Sequence, residues 1–285
     1  MARTIKMAVS ILNVRLHPHS PSIYAEYIKD LHQRRLPVRI HGDRYAMLSM
    51  LDTSNASDGT FFGAVTAFTR IDKNGSWFDA DKLEEATENQ ISRLSIPENL
   101  YPNSASFYFL FDTKKHRIYI QQYTKGRQFT PASALRLFEG LSDNLDITAK
   151  YNLATITIVQ SAEGLAQLFS VAKINEVKIT ILKPNSDIFE DDFEAKIEAH
   201  LHETHSRSLV LTYDAEPGQS IVINEGIKNV TQVALENGGV EIKGRDETGA
   251  VYRSTNEYPK LLQDRYDPNV MSEENAFRRI VAKDG

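Results

Sequence analysis

Residues 106–123 constrain the fold of this chain more than any other stretch. Phe107-Tyr108-Phe109-Leu110-Phe111 and Arg117-Ile118-Tyr119-Ile120-Gln121-Gln122-Tyr123 are dense in aromatic and β-branched side chains, and Asp112-Thr113-Lys114-Lys115 forms a polar turn between them. Two such runs around a short polar turn make an antiparallel hairpin. A helix follows: Thr130 is placed to cap it, Pro131 sits at its first position, and Leu135, Phe138 and Leu141 form its apolar stripe. This order argues against a doubly wound parallel sheet, in which crossover helices alternate regularly with strands.

The rest of the chain follows the same irregular alternation. Ile5–Leu16 carries apolar residues at both parities, so it reads as a strand buried on two faces. Ser20 and Pro21 open a helix with Ile23, Tyr27, Ile28 and Leu31 on one face, closed by Arg34 and Arg35. Strands are predicted within 38–51 and 60–71, and an acidic helix within 79–94. Beyond residue 150 the pattern predicts strands at 153–159, 177–182, 209–213, 221–223, 240–243 and 251–253. It predicts helices from Ser161 and over 189–201, the latter carrying Phe193, Ile197 and Leu201. Residues 264–285 read as a polar tail or a final short helix. The expected fold class is α+β, with largely antiparallel sheets and packed helices, in two α+β halves, 1–150 and 151–285.

Composition narrows the function classes. The chain of 285 residues has 41% apolar and 25% charged residues and no cysteine, which excludes a disulfide scaffold, a thiol nucleophile and a thiolate metal site. No run is long enough for a membrane-spanning helix and the start lacks a secretory apolar segment, so the expected location is cytoplasmic, without membrane partners. Charge is uneven. Residues 1–50 hold 8 Lys and Arg against 3 Asp and Glu, and residues 101–150 hold 7 against 4, although the whole chain is at −5. A local positive field can attract a polyanion despite a negative total.

The stretch 114–129 is the strongest binding candidate. On a strand, Arg117, Tyr119, Gln121 and Tyr123 share one face, offering a guanidinium and two phenols to phosphates and bases. Lys114, Lys115, Lys125 and Arg127 flank it as phosphate contacts. Arg35, Arg39, His41 and Arg44 form a second basic cluster, expected to meet the first as one stripe. The bland alternative is a solvated hairpin face with lysines guarding a sheet edge.

Two catalytic or metal patterns are weaker. Glu241-Ile242-Lys243 on a strand, with Asp214 as a further carboxylate, matches the arrangement by which nucleases hold a divalent ion and orient water. The same tripeptide pattern recurs at Glu176-Val177-Lys178 and Glu194-Ala195-Lys196, so it also fits an ordinary ion-pair face. Glu198, His202 and His205 have helical spacing for a metal, but His202-Glu203-Thr204-His205 is one residue short of the zincin pattern. No cofactor is expected outside the nuclease alternative, where the cofactor is a divalent metal.

Leu12-Asn13-Val14-Arg15-Leu16-His17-Pro18-His19-Ser20-Pro21, Pro37-Val38-Arg39-Ile40-His41-Gly42-Asp43-Arg44-Tyr45, Trp77-Phe78-Asp79 and Ile96-Pro97-Glu98-Asn99-Leu100 resemble an uncharacterised bacterial family of unknown function. That resemblance is clearest in the N-terminal half and supplies no catalytic residues. The hairpin, its following helix and the late stretch 240–251 are similar in order to RexA-like phage-exclusion proteins, a group that includes the KwaB proteins of the Kiwa system. This resemblance implies an α+β fold, a homodimer, DNA binding in phage defence and a second defence-system protein as a partner. The functional expectation is a non-enzymatic DNA-binding protein. The alternatives are the metal-dependent nuclease and a protein-interaction or sensor subunit that binds no nucleic acid.

Overall fold

Strand β1 (Ile5–Arg15) is buried from Met7 to Arg15, as apolar residues at both parities require. The computed structural model describes residues 4–16, 20, 22–152, 154–183 and 192–284, and in it β1 lies one strand in from the edge of an eight-stranded sheet. In chain order come α1 (Ile23–Gln33), β2 (Val38–His41), β3 (Arg44–Asp52) and β4 (Thr60–Thr69). A two-residue-per-arm hairpin, β5 (Phe78–Asp79) and β6 (Glu84–Glu85), and the single turn α2 (Glu88–Ile91) follow. The expected central hairpin is β7 (Ala105–Asp112) and β8 (Arg117–Gln121). A small hairpin, β9 (Tyr123–Thr124) and β10 (Arg127–Gln128), leads into α3 (Pro131–Ser142), α4 (Leu145–Tyr151) and β11 (Thr155–Ile158). Thr130 caps α3 as expected, its hydroxyl accepting from the Ser133 N–H.

The remaining elements are α5 (Ala162–Phe169), β12 (Lys173–Leu182), α6 (Asp192–Glu203), β13 (Ser208–Asp214), α7 (Glu225–Asn237), β14 (Gly238–Asp246), β15 (Gly249–Ser254), β16 (Leu261–Tyr266) and α8 (Glu273–Val281). The architecture is α+β and the strand pairing is antiparallel in both main sheets. The large sheet has the order β11-β1-β8-β7-β4-β3-β2, with β16 pairing the first half of β1 on the edge whose second half takes β11. The second sheet has the order β13-β12-β14-β15.

Burial on both faces of the central strands explains their continuous apolar character. Leu12, Val14, Phe107, Phe109, Phe111 and Ile118 pack against Tyr24, Tyr27, Leu137, Phe138 and Tyr151 of α1, α3 and α4. On the opposite face, Met7, Val9, Ile11, Phe62 and Tyr119 pack against Phe277 and Ile280 of α8. The four-stranded sheet has its own core under α5, α6 and α7, including Val177, Ile179, Leu201, Val230, Ala234 and Ile242. Among the described residues, no helix covers its other face. The expected division near residue 150 is therefore crossed by β11, β16 and α8, which complete the large sheet and its second layer.

Four local expectations changed. Residues 79–94 form a turn, a tiny hairpin and one helical turn instead of a helix, because Asp79 Oδ1 accepts from the backbone N–H groups of Asp81 and Lys82. Such local acceptance competes with helix hydrogen bonding, and Leu83 ends at positive φ and 77% exposed. Helix α1 begins at Ile23 with Ser22 before it; Pro21, His17 and His19 lie outside the described residues, as does the start of the helix expected from 189. Residues 221–223 form no strand. Helix α7 was missed, although Asn224 caps it and Ile227, Val230 and Ala234 mark its buried face. It runs straight into β14 at Gly238. A Cβ at Gly238 would lie 1.9 Å from the Thr180 carbonyl oxygen, so the strand can start there only with glycine.

Candidate nucleic-acid interface

Strand β4 separates the two ends at which basic residues collect. Its Thr60 end pairs with Asp112, beside the β7–β8 turn that carries Lys114 and Lys115. Its Thr69 end pairs with Arg44. At about 3.3 Å per residue, ten strand residues put these ends roughly 30 Å apart. The single stripe expected from the sequence is thus divided.

At the Thr69 end, residues from separate segments converge. Both terminal guanidinium nitrogens of Arg44 lie 3.4–3.5 Å from the Gln128 carbonyl oxygen, joining the β2–β3 hairpin to the β9–β10 hairpin. Lys125 and Gly126 form the tip of the latter at positive φ, the conformation a two-residue hairpin loop demands. Lys125 and Arg127 are exposed. Arg39 donates from Nε to the Gly42 carbonyl at 2.5 Å, and Arg136 of α3 donates to the Ile40 carbonyl at 2.8 Å. His41 is exposed on the same short strand. Among the described residues, no carboxylate lies within ion-pair distance of Arg39, Arg44, Lys125, Arg127 or Arg136.

A cleft of about 770 Å³ continues this end of the sheet. Arg39, Tyr45, Arg70, Lys73 and Tyr101 line it, together with Asp43, Asp72 and Glu98. The Arg70 guanidinium lies 5.6 Å from the Tyr45 ring centroid, and Tyr101 stacks on Phe68 with centroids 4.6 Å apart. The Arg70 N–H donates to the Asp43 carbonyl at 2.9 Å, and the Lys73 ammonium donates to the Ile96 carbonyl, so the walls are tied together. The single tryptophan, Trp77, donates its indole N–H to the Lys73 carbonyl at 3.3 Å. Arg70, Lys73, Tyr45, Tyr101 and Arg136 were not singled out from sequence. They come from four separate segments and only the sheet brings them together.

The other residues proposed for nucleic-acid contact are placed differently. Arg117, Tyr119 and Gln121 share a face as the strand parity predicted, but α8 and the residues after it cover that face. Arg117 pairs with Glu236 at 2.9 Å and with Asp284 at 3.2 Å; Tyr119 donates to Asp284 at 3.1 Å; Gln121 donates to Glu273 at 2.6 Å. Burial opposes ionisation of Asp284, yet hydrogen bonding from Lys260 and Tyr119 and the charges of Lys260 and Arg117 hold its carboxyl below the usual range. Burial and then Asp284 push the Tyr119 phenol up. Lys114 and Lys115 donate their backbone N–H groups to Asp112 in the turn at the far end. Tyr123 is 45% exposed in the converging hairpin and accepts from Gln128 Nε2 at 3.3 Å. Arg35 ends α1, exposed and at positive φ.

The alternative catalytic residues meet on the open face of the four-stranded sheet. Glu176 lies opposite both Asp214 and Lys243, and Lys178 lies opposite Glu241. Lys243 pairs with Glu176 at 2.9 Å and Lys178 with Glu241 at 3.5 Å. The hydrogen bond that Lys243 donates to Glu176 is the main cause holding the Lys243 pKa above its ordinary value, with the charges of Glu176, Glu241 and Asp214 adding to it. Two of the three Glu-x-Lys repeats are thus each other's counter-ions. Helix α6 stops at Glu203, so His205 leaves the helical face that Glu198 and His202 were expected to share with it. Among the described residues, no three His, Asp or Glu side chains are grouped to hold a metal ion.

No helix among the described residues is long and apolar enough to cross a membrane. A family model described as a domain of unknown function, DUF4747, matches residues 5–282. No curated protein matches the sequence.

Proposed function

Because the chain belongs to the DUF4747 family, whose description assigns no activity, we propose a function from its surfaces: it binds single-stranded nucleic acid, DNA first among the ligands to test, without catalysing a reaction on it. The observation that carries this reading is the group of cations at the Thr69 end of the large sheet, Arg39, Arg44, Lys125 and Arg127, none paired with a carboxylate among the described residues. The cations of the two rival surfaces, Arg117 on β8 and Lys178 and Lys243 on the four-stranded sheet, are by contrast in ion pairs.

Exposed arginines and a lysine on two adjoining hairpins suit a phosphate backbone, which they position without reading sequence. The neighbouring cleft suits an unstacked base. Tyr45 and Tyr101 offer ring faces and Arg70 a planar cation, the combination by which single strands are held. A duplex has no unstacked base to place there. Asp43, Asp72 and Glu98 keep the cleft from being a purely cationic trap and can accept from base N–H groups. Phage defence is the setting to which the RexA-like resemblance points, with a second protein of such a system as a partner to seek.

The test is fluorescence anisotropy with a labelled oligo-dT of about 20 nucleotides, alongside the Trp77 emission. Arg39→Glu/Lys125→Glu/Arg127→Glu is compared with Lys114→Glu/Lys115→Glu. Each single-strand phosphate contact contributes about 0.7 to the slope of log K against log salt, so losing three contacts costs roughly 20-fold in the share of affinity that salt removes between 50 and 200 mM. The first variant is expected to lose binding, and the second to bind like the parent. The reverse result, or binding that leaves Trp77 emission unchanged, overturns the assignment of this surface.

A further inference from the structure

Among the described residues, strand β13 (Ser208–Asp214) is an unpaired edge of the four-stranded sheet, and we infer that it pairs antiparallel with β13 of a second copy of the chain. The inference does not depend on nucleic-acid binding.

The outward-facing backbone groups can be read from the ladder. The Ala215 N–H donates to the Asn175 carbonyl and the Lys183 N–H to the Arg207 carbonyl. These bonds flank the Glu176–Asp214 and Leu182–Ser208 pairs. In an antiparallel ladder, that makes both of these pairs non-hydrogen-bonded, and the alternation extends to the pairs of Val210 and Thr212. The N–H and C=O groups of Ser208, Val210, Thr212 and Asp214 therefore point away from β12, toward the open edge. No described residue bonds to them.

Proteins usually guard such an edge with lysine, proline, a bulge or shortness. Edge strand β2 has four residues, Arg39 and a register irregularity; edge strand β15 carries Arg253. Strand β13 has seven residues, Ser-Leu-Val-Leu-Thr-Tyr-Asp, with no proline and no cation. Val210 is 49% exposed, and Leu209, Leu211 and Tyr213 stay only half-buried although they face the core side.

The strand is also complementary to itself. A two-fold axis through Leu211 pairs all seven residues: Ser208 with Asp214, Val210 with Thr212, Leu209 with Tyr213, and Leu211 with Leu211. The outward-facing residues fall opposite one another, which is the arrangement that exchanges two N–H···O bonds per pair. Each carboxylate meets a hydroxyl, no like charges oppose, and the two four-stranded sheets join into one of eight strands.

Two variants test this by size-exclusion chromatography with light scattering. Val210→Pro removes an N–H that does not bond β12, so the protein's own sheet stays paired while the edge is blocked. The parent is expected to run as a dimer and Val210→Pro as a monomer with unchanged circular dichroism. Because the chain has no cysteine, Leu211→Cys gives an independent reading. At the axis, a non-hydrogen-bonded pair has Cα atoms about 4.5 Å apart, within disulfide reach. Mild oxidation should give a covalent dimer with Leu211→Cys and not with Ser208→Cys. A monomeric parent, a Val210→Pro dimer, or linkage through Ser208→Cys instead of Leu211→Cys overturns the inference.

Discussion

Replacing Asp284 by alanine tests whether the Arg117–Tyr119 face is a structural seam or an available surface. The Asp284 side chain is 7% exposed and accepts from Lys260 at 2.7 Å, Tyr119 at 3.1 Å and Arg117 at 3.2 Å. The three donors lose differently. Lys260 is 38% exposed and regains water, and Arg117 keeps Glu236. Tyr119 is buried, so its hydroxyl is left without an acceptor, at a cost of about 1–3 kcal/mol, and the weakened charged bonds add about 1 kcal/mol. Asp284→Ala should therefore destabilise the protein by about 2–4 kcal/mol. With a urea m-value near 3 kcal/mol/M for a chain of this size, the unfolding midpoint falls by about 1 M. Tyr119→Phe in the Asp284→Ala background removes the orphaned hydroxyl, so the double variant should recover about 1–2 kcal/mol relative to additivity. Urea unfolding of the four proteins measures both quantities. A loss under 0.5 kcal/mol in Asp284→Ala, or strict additivity, refutes the seam and returns Arg117 and Tyr119 to the surface available for ligands.

Gly238→Ala should destabilise by several kcal/mol in the same assay, because the new methyl meets the Thr180 backbone and neither strand can move without breaking the ladder. Acid should weaken the fold through Asp284 and Asp30. Burial opposes the charge of each, but Lys260 and Tyr119 on one, and Tyr151 and Lys150 on the other, lower its pKa below 3.8. A folded pKa below the unfolded one gives stability that is complete above the unfolded value and lost as pH falls through the folded value. Urea midpoints should thus be flat near neutrality and drop below about pH 4, and a protein equally stable at pH 3 and pH 6 contradicts this. Plasmid and RNA incubated with Mg²⁺ or Mn²⁺ should stay intact, since Glu176 and Lys178 occupy Lys243 and Glu241 in ion pairs; cleavage abolished by Glu241→Ala would restore the nuclease reading.

Local chemistry made much of the fold legible. The aromatic β7–β8 hairpin, the Thr130-Pro131 helix start and the two-sided burial of β1 follow from side-chain periodicity and capping, which act over a few residues. The failed helix at 79–94 was also a local matter: Asp79 captures the backbone N–H groups that a helix would use. Strand parity alone puts Arg117, Tyr119 and Gln121 on one face. Whether solvent or protein covers that face depends on a helix more than 150 residues later, and α8 covers it. Likewise, Arg44 and Arg127 are cationic from sequence alone, but strand order and register decide which cations become neighbours. Antiparallel pairing placed the Arg44 and Gln128 segments together and sent Lys114 to the far end of β4. Short-range preferences fix the faces of an element; only the long-range ladder and its layers fix what those faces meet.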